Sequence, residues 1–119
     1  MRRPLAHRLL LGIRIALPRL PGGADAMALW PFMLVKKGPP LPAWIAHHER
    51  IHFLQQLECA YVGFFIVYGI EYLYLRLWRR LSHYRAYRTV RFEQEAYQNQ
   101  RTPHYLATRK PFAWARRKV

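Results

Sequence analysis

At 119 residues the chain is long enough for one domain with a modest core and too short for two. Apolar residues make up 52% and aromatics 15%, a composition that suits a folded domain packing many rings. Lys and Arg number 20 against 6 Asp and Glu, giving a net charge of +14, so nucleic acid, an anionic membrane surface and an acidic partner all remain open.

The single cysteine, Cys59, excludes an internal disulfide and a Cys-rich zinc knuckle. Its apolar neighbourhood suits a buried small hydrophobe. A single domain over 1–119 is expected, with a basic N-terminal segment over 1–23 and a basic tail over 103–119.

The first residues, MRRPLAHRLLLGIRIALPRLPGG, have the charge of a signal n-region. Arg14 splits the apolar run, however, and no Ala-x-Ala cleavage pattern follows. A basic amphipathic segment or a short helix ending before Pro18 is the better reading, and the PRLPGG run reads as a turn. A cytoplasmic or membrane-associated setting is expected rather than secretion.

The apolar run from Ala28 to Val35, bounded by Lys36, Lys37 and a Gly-Pro-Pro turn, suits a strand. Pro31 inside it demotes that strand to a sheet edge or a bulge. An extended arm packed on helices is the plainer alternative.

From Ala43 the pattern turns helical, and Pro42 is well placed to open the helix. One helix from Ala43 to Arg80 would be too long for so small a domain, so the chain should bend near Gly63. The apolar stretch from Cys59 to Ile70 stops at Glu71, well short of the roughly 20 residues a membrane span needs. A buried core helix is expected there, with interfacial association as the alternative. Ser82 to Arg91 reads as a basic, Tyr-rich connection. A last helix runs from about Thr89 to Gln100, and the tail beyond Pro103 packs across the surface or frays.

The chemistry concentrates in HHERIHFLQQLE, His47 to Glu58. Four residues on a helix is slightly more than one turn, so His48 and His52 project from one face at a spacing one metal ion can bridge. Zinc suits two neutral imidazoles plus a carboxylate, with a fourth position open to water. Glu49 is rotated off the ligand pair, close enough to act as general base. The plain alternative is a pair of ordinary histidines, with Glu49 paired to Arg50. His47 points about 100° away from His48, which favours a packed or solvent-facing role.

A two-histidine site needs another ligand, and in this acid-poor chain the segment Phe92–Tyr97 is the good supplier. Glu93 and Glu95 stand two apart and cannot share a helix face, so one can ligate while the other turns elsewhere, for instance to an arginine. Both also suit a solvated helix.

HExxH followed by a glutamate on a later helix resembles the gluzincin class of zinc metallopeptidases. HERIHFLQQ also resembles the HExxHxxQ pattern of small bacterial metallopeptidase candidates. The resemblance spans about Leu29 to Gln100, and its specific part is two short motifs. It implies a mainly α fold: a small helical core with a short edge strand before the HExxH helix. It implies zinc held by His48, His52 and Glu93, with Glu49 as the catalytic base and Glu93 preferred to Glu95. It also implies a peptide or protein substrate paired with the edge strand over Leu29–Val35. Tyr97 stands where many gluzincins carry an Asp that orients a ligating histidine. Gln55 or Glu58 is available for that task. Tyr84, Tyr87, His83 and Arg88 are the candidate oxyanion donors.

A non-enzymatic basic module is the competing class, with Arg on phosphates and Tyr and Trp stacked on bases or seated at a bilayer. A peptidase-like fold around a structural metal is the third. Oligomeric state is left open.

Overall fold

A computed structural model describes residues 11–119. The expectation of a basic helix near the start falls partly outside those residues. Where it can be compared, over Ile13–Leu17, the chain is a strand, β1. The β-branched Ile13 and Ile15 alternate with Arg14 and Ala16, a period that fits a strand better than a helix. Gly12 leads into it with φ +86°, and a Cβ there would lie 2.7 Å from the Phe53 ring. Glycine is what lets the chain cross that ring.

The expected single strand before the helix is two strands. Ala26–Leu29 (β2) and Phe32–Lys36 (β3) form an antiparallel hairpin, with Leu29 opposite Phe32. Pro31 sits in the turn after a cis Trp30–Pro31 peptide, where its lack of an N–H costs no ladder bond. β1 pairs in parallel with β3, giving the order β1-β3-β2. The segment expected to be an edge strand, Leu29–Val35, thus runs into the central strand, and the edge facing the HExxH helix is β2, because β1 covers the other side of β3.

Helix α1, Ala43–Glu58, follows after Pro42. It ends at a sharp reversal: α1 and the next helix cross a break bent by 108°. The bend lies at Ala60 and Tyr61, both at positive φ (53° and 65°), three and two residues before Gly63 and so where it was expected, near that glycine. Gly63 lies inside α2, Val62–Leu73, which continues as a π-helical turn over Tyr74–Trp78. Cys59, expected to be buried, is half-buried at this corner, packed against the apolar cluster that includes Phe64 and Phe92.

The basic connection after Ser82 is a helix, α3, His83–Thr89. Ser82 Oγ caps it by accepting from the Arg85 N–H, the standard way to satisfy an unpaired first-turn donor. Extended backbone at Val90 separates α3 from α4, Arg91–Asn99. Glu71 on α2 holds the start of α4: its Oε1 accepts the Arg91 N–H (3.0 Å) and its Oε2 accepts Arg91 Nε (2.7 Å). A short α5, Tyr105–Thr108, opens the tail.

Among the described residues the chain is mostly α with a small three-stranded sheet. Met33, Ala46 and Phe53 join the sheet to one side of α1. Phe64, Leu75, Val90, Phe92 and Trp114 join α2, α3, α4 and the tail on the other. The polar face of α1 lies between the two clusters.

Candidate metal centre

Three acceptors meet in the middle of the molecule. His48 Nε2 lies 3.1 Å and His52 Nε2 3.0 Å from Glu93 Oε1, and the two imidazole nitrogens lie 3.2 Å apart. All three residues are buried. The helical spacing aligns the two histidines on α1. Packing α4 against that face brings in Glu93, the one acidic residue in the first turn of α4.

The other ring nitrogens explain why a cation is needed. Gln55 donates both amide hydrogens, to Phe92 O (3.0 Å) and Glu95 Oε1 (3.0 Å), so its Oε1 must face His52 Nδ1 at 2.7 Å. His52 Nδ1 therefore carries a hydrogen, and in the neutral ring Nε2 presents a lone pair to Glu93. His48 Nδ1 meets Gln100 Oε1 at 2.8 Å, the contact that a hydrogen on Nδ1 would make. Lone pairs facing a carboxylate oxygen at 3 Å repel unless a proton or a metal ion sits among them. For four ligands at about 2.0–2.1 Å from zinc, tetrahedral geometry sets neighbours about 3.3 Å apart. The observed triangle is close to that size. The buried His48, His52 and Glu93 group could hold a metal ion.

Charge follows the geometry. Burial alone would depress the His52 imidazolium, but the Glu93 carboxylate beside it raises its pKa to about 9. Burial likewise opposes the charge on Glu93, yet His52 and the two imidazole hydrogen bonds hold its carboxyl below the usual carboxylate range. Tyr68 donates to the second oxygen, Glu93 Oε2, at 2.8 Å. Glu49 lies in the same cleft, outside the triangle. Burial pushes its pKa up, with the His52 and His48 charges and an N–H from Ala28 on β2 pulling the other way.

The cleft is about 750 Å³, walled by β2 on one side and by α2 and α3 on the other. Gln56 ties its β2 wall to α1: Nε2 donates to Ala28 O (2.8 Å) and Oε1 accepts from the Trp30 N–H (2.8 Å). His83, Tyr84 and Tyr87 line the opposite wall. Arg88 instead lies 3.8 Å over the Tyr97 ring and donates to the Tyr84 hydroxyl.

Glu95 turns away from the triangle. Arg109 Nε donates to its Oε2 at 2.6 Å, and Tyr105 OH to the same oxygen at 2.6 Å. The Arg109 guanidinium also makes a two-bond fork to Glu58, at 2.8 Å for each bond. Glu58 is thus separated from His52 by Arg109, Glu95 and Gln55, and Gln55 is the one that touches His52. His47 is half-buried and bonds the Gln100 carbonyl (3.0 Å), away from the triangle.

Tyr97 does not bond the histidine in place of an aspartate. Its ring packs edge-on against His48, centroids 4.5 Å apart, while its hydroxyl meets Tyr87 OH at 2.9 Å. The orienting bond comes from Gln100, which the motif did not single out. A signal was available: Gln100, the C-cap of α4, is seven residues after Glu93, which a helical continuation places two turns along on the same side. Tyr68 was missed because it sits in an otherwise apolar run, and only its inward direction shows its partner.

Compared with known proteins, the chain matches no family model, no curated protein and no solved structure.

Proposed function

We propose that the chain is a small zinc-dependent peptidase of gluzincin-like type. The observation that carries this reading is the convergence of His48 Nε2, His52 Nε2 and Glu93 Oε1 beside a fourth, separate carboxylate, Glu49, in one cleft. A structural metal site would close the fourth position with a protein ligand, and it has no use for a further carboxylate beside the other three. Zinc bound there would supply a Lewis acid that polarises a carbonyl and acidifies water.

The residues divide the remaining work. Gln55 and Gln100 hold the imidazoles in the tautomer that leaves Nε2 free to ligate. Tyr68 engages Glu93 Oε2, leaving Oε1 as the ligand atom. Glu49 takes a proton from the attacking water on its carboxylate and returns it to the leaving amine nitrogen. Its raised pKa suits a group that must both accept and release.

Substrate would add a strand at β2. The Ala28 N–H and C=O are engaged by Glu49 and Gln56, so both face away from β3. By alternation the backbone groups of Ala26 face the same way, into the cleft that Ala26 helps to line. On the far wall, Tyr87 is the oxyanion donor favoured by its surroundings. Its hydroxyl, which meets Tyr97 OH at 2.9 Å, would turn its hydrogen to the substrate oxygen.

Zinc per chain tests the site. The wild type should bind one ion, and His48→Ala and Glu93→Ala should lose it; unchanged stoichiometry in both variants would sink the site. Glu49→Gln should keep the metal and lose peptide hydrolysis by at least about 100-fold, the usual scale for removing a general base. Equal cleavage of a peptide library by Glu49→Gln and wild type would remove Glu49 from the mechanism.

A further inference from the structure

Helix α2 with its π-helical end is built inside out for a helix in water. Its one acidic residue, Glu71, turns inward to Arg91, and Tyr68 turns inward to Glu93. Its outward face carries Val62, Ile66, Ile70, Leu73 and Leu77, spaced three or four apart so that they form one stripe. Ile70 is 64% and Leu77 75% exposed. Scattered apolar residues on a surface need no explanation, but a continuous stripe over four turns marks an interaction site.

The end of the stripe identifies the partner. Trp78 is 79% exposed and Tyr74 42%, the two ring types that favour the boundary between lipid tails and water. Arg76, Arg79 and Arg80 are exposed around them, and no acidic residue follows until Glu93. The whole chain carries +14. A second copy would bring the same positive charge to this face, whereas an anionic bilayer complements it. From Val62 to Trp78 the helix is about 25 Å long at 1.5 Å per residue. That is short of the roughly 30 Å hydrocarbon core, and no single helix among the described residues is long and apolar enough to cross a membrane; α1 and α2 pass by length and composition only as a bent pair, and α1 is largely buried inside the fold.

We propose that the outward face of α2 docks on an anionic lipid bilayer, lying in the interface rather than across it. Ile66, Ile70, Leu73 and Leu77 enter the acyl boundary, and Arg76, Arg79 and Arg80 meet the headgroups. Phe65 is exposed beside the stripe and also lines the cleft. Docking therefore sets the cleft at the membrane surface. On the peptidase reading, which the docking itself does not need, the substrates are polypeptide segments lying at that surface.

Flotation of the full chain with vesicles tests this. Wild type should float with phosphatidylcholine vesicles containing phosphatidylglycerol, and less with pure phosphatidylcholine. The double variant Ile70→Gln/Leu77→Gln changes exposed side chains only. It should partition at least about tenfold less while keeping its metal. Arg79→Gln/Arg80→Gln should weaken binding to the anionic vesicles alone, as should added salt. The proposal is overturned if wild type ignores both vesicles, or if Ile70→Gln/Leu77→Gln floats as wild type does. A dimer that the same two substitutions dissociate would assign the face to a second copy instead. Metal and hydrolysis retained without docking would leave the peptidase reading intact. Docking retained in a metal-free Glu93→Ala variant would do the reverse.

Discussion

At the scale of single residues, His52 decides how the centre responds to pH. Its Nδ1 hydrogen is committed to Gln55, so any further proton sits on Nε2, the atom a metal would use. Without metal, Glu93 keeps that proton in place up to about pH 9. The folded pKa is raised above the unfolded value of 6.5. The imidazolium–carboxylate pair therefore stabilises the metal-free chain fully below pH 6.5, and that contribution is lost as pH rises through 9. Metal binding has the opposite sign, since it must expel the proton. Apparent zinc affinity should thus rise about tenfold per pH unit from neutrality and level off near 9. Competition with a chelating dye across that range checks it. An affinity flat from pH 6.5 to 9 would show that Glu93 holds no proton on His52 for the metal to displace.

At the scale of elements, the motif residues were legible because helix periodicity alone aligns His48 with His52 and separates them from His47. The carboxylate facing them depends on how α4 rolls against α1, which spacing leaves open between Glu93 and Glu95. What was least legible were the joints. Pro31 was read as a blemish in one strand and is the turn between two. The bend expected near Gly63 is there, but the chain turns on Ala60 and Tyr61, two residue types that do not invite the positive φ they adopt. Such a conformation costs an alanine about 1–2 kcal/mol. Ala60 is exposed, so replacing it removes no buried contact. Ala60→Gly should stabilise the fold by about 0.5–1 kcal/mol after the extra chain entropy of glycine is offset. Urea unfolding reads this directly. A loss of stability would mean that the corner is not held at positive φ.

At the scale of the whole molecule, the tail reaches the centre through a chain of polar contacts. The basic C-terminus was expected to lie over the surface or fray; its Trp114 instead packs on Phe92 in the core. Arg109 lies between Glu58 at the end of α1 and Glu95 on α4, its side chain 3% exposed and that of Glu95 fully buried. Glu95 in turn holds Gln55, and Gln55 holds His52. One arginine from the tail is therefore three contacts from a ligand nitrogen. Burial works against the Glu95 charge, and the bonds from Arg109, Tyr105 and Gln55 overcome it to hold its carboxyl below the usual range. Arg109→Met would leave that carboxylate buried without its counter-charge, a loss of about 3–5 kcal/mol near neutral pH. Lowering the pH should narrow the gap, because Glu95 in the variant takes up a proton and becomes neutral while the wild type loses its ion pair. Denaturant midpoints of both proteins at neutral and acid pH test this, and a gap that stays constant would mean Arg109 acts by packing alone.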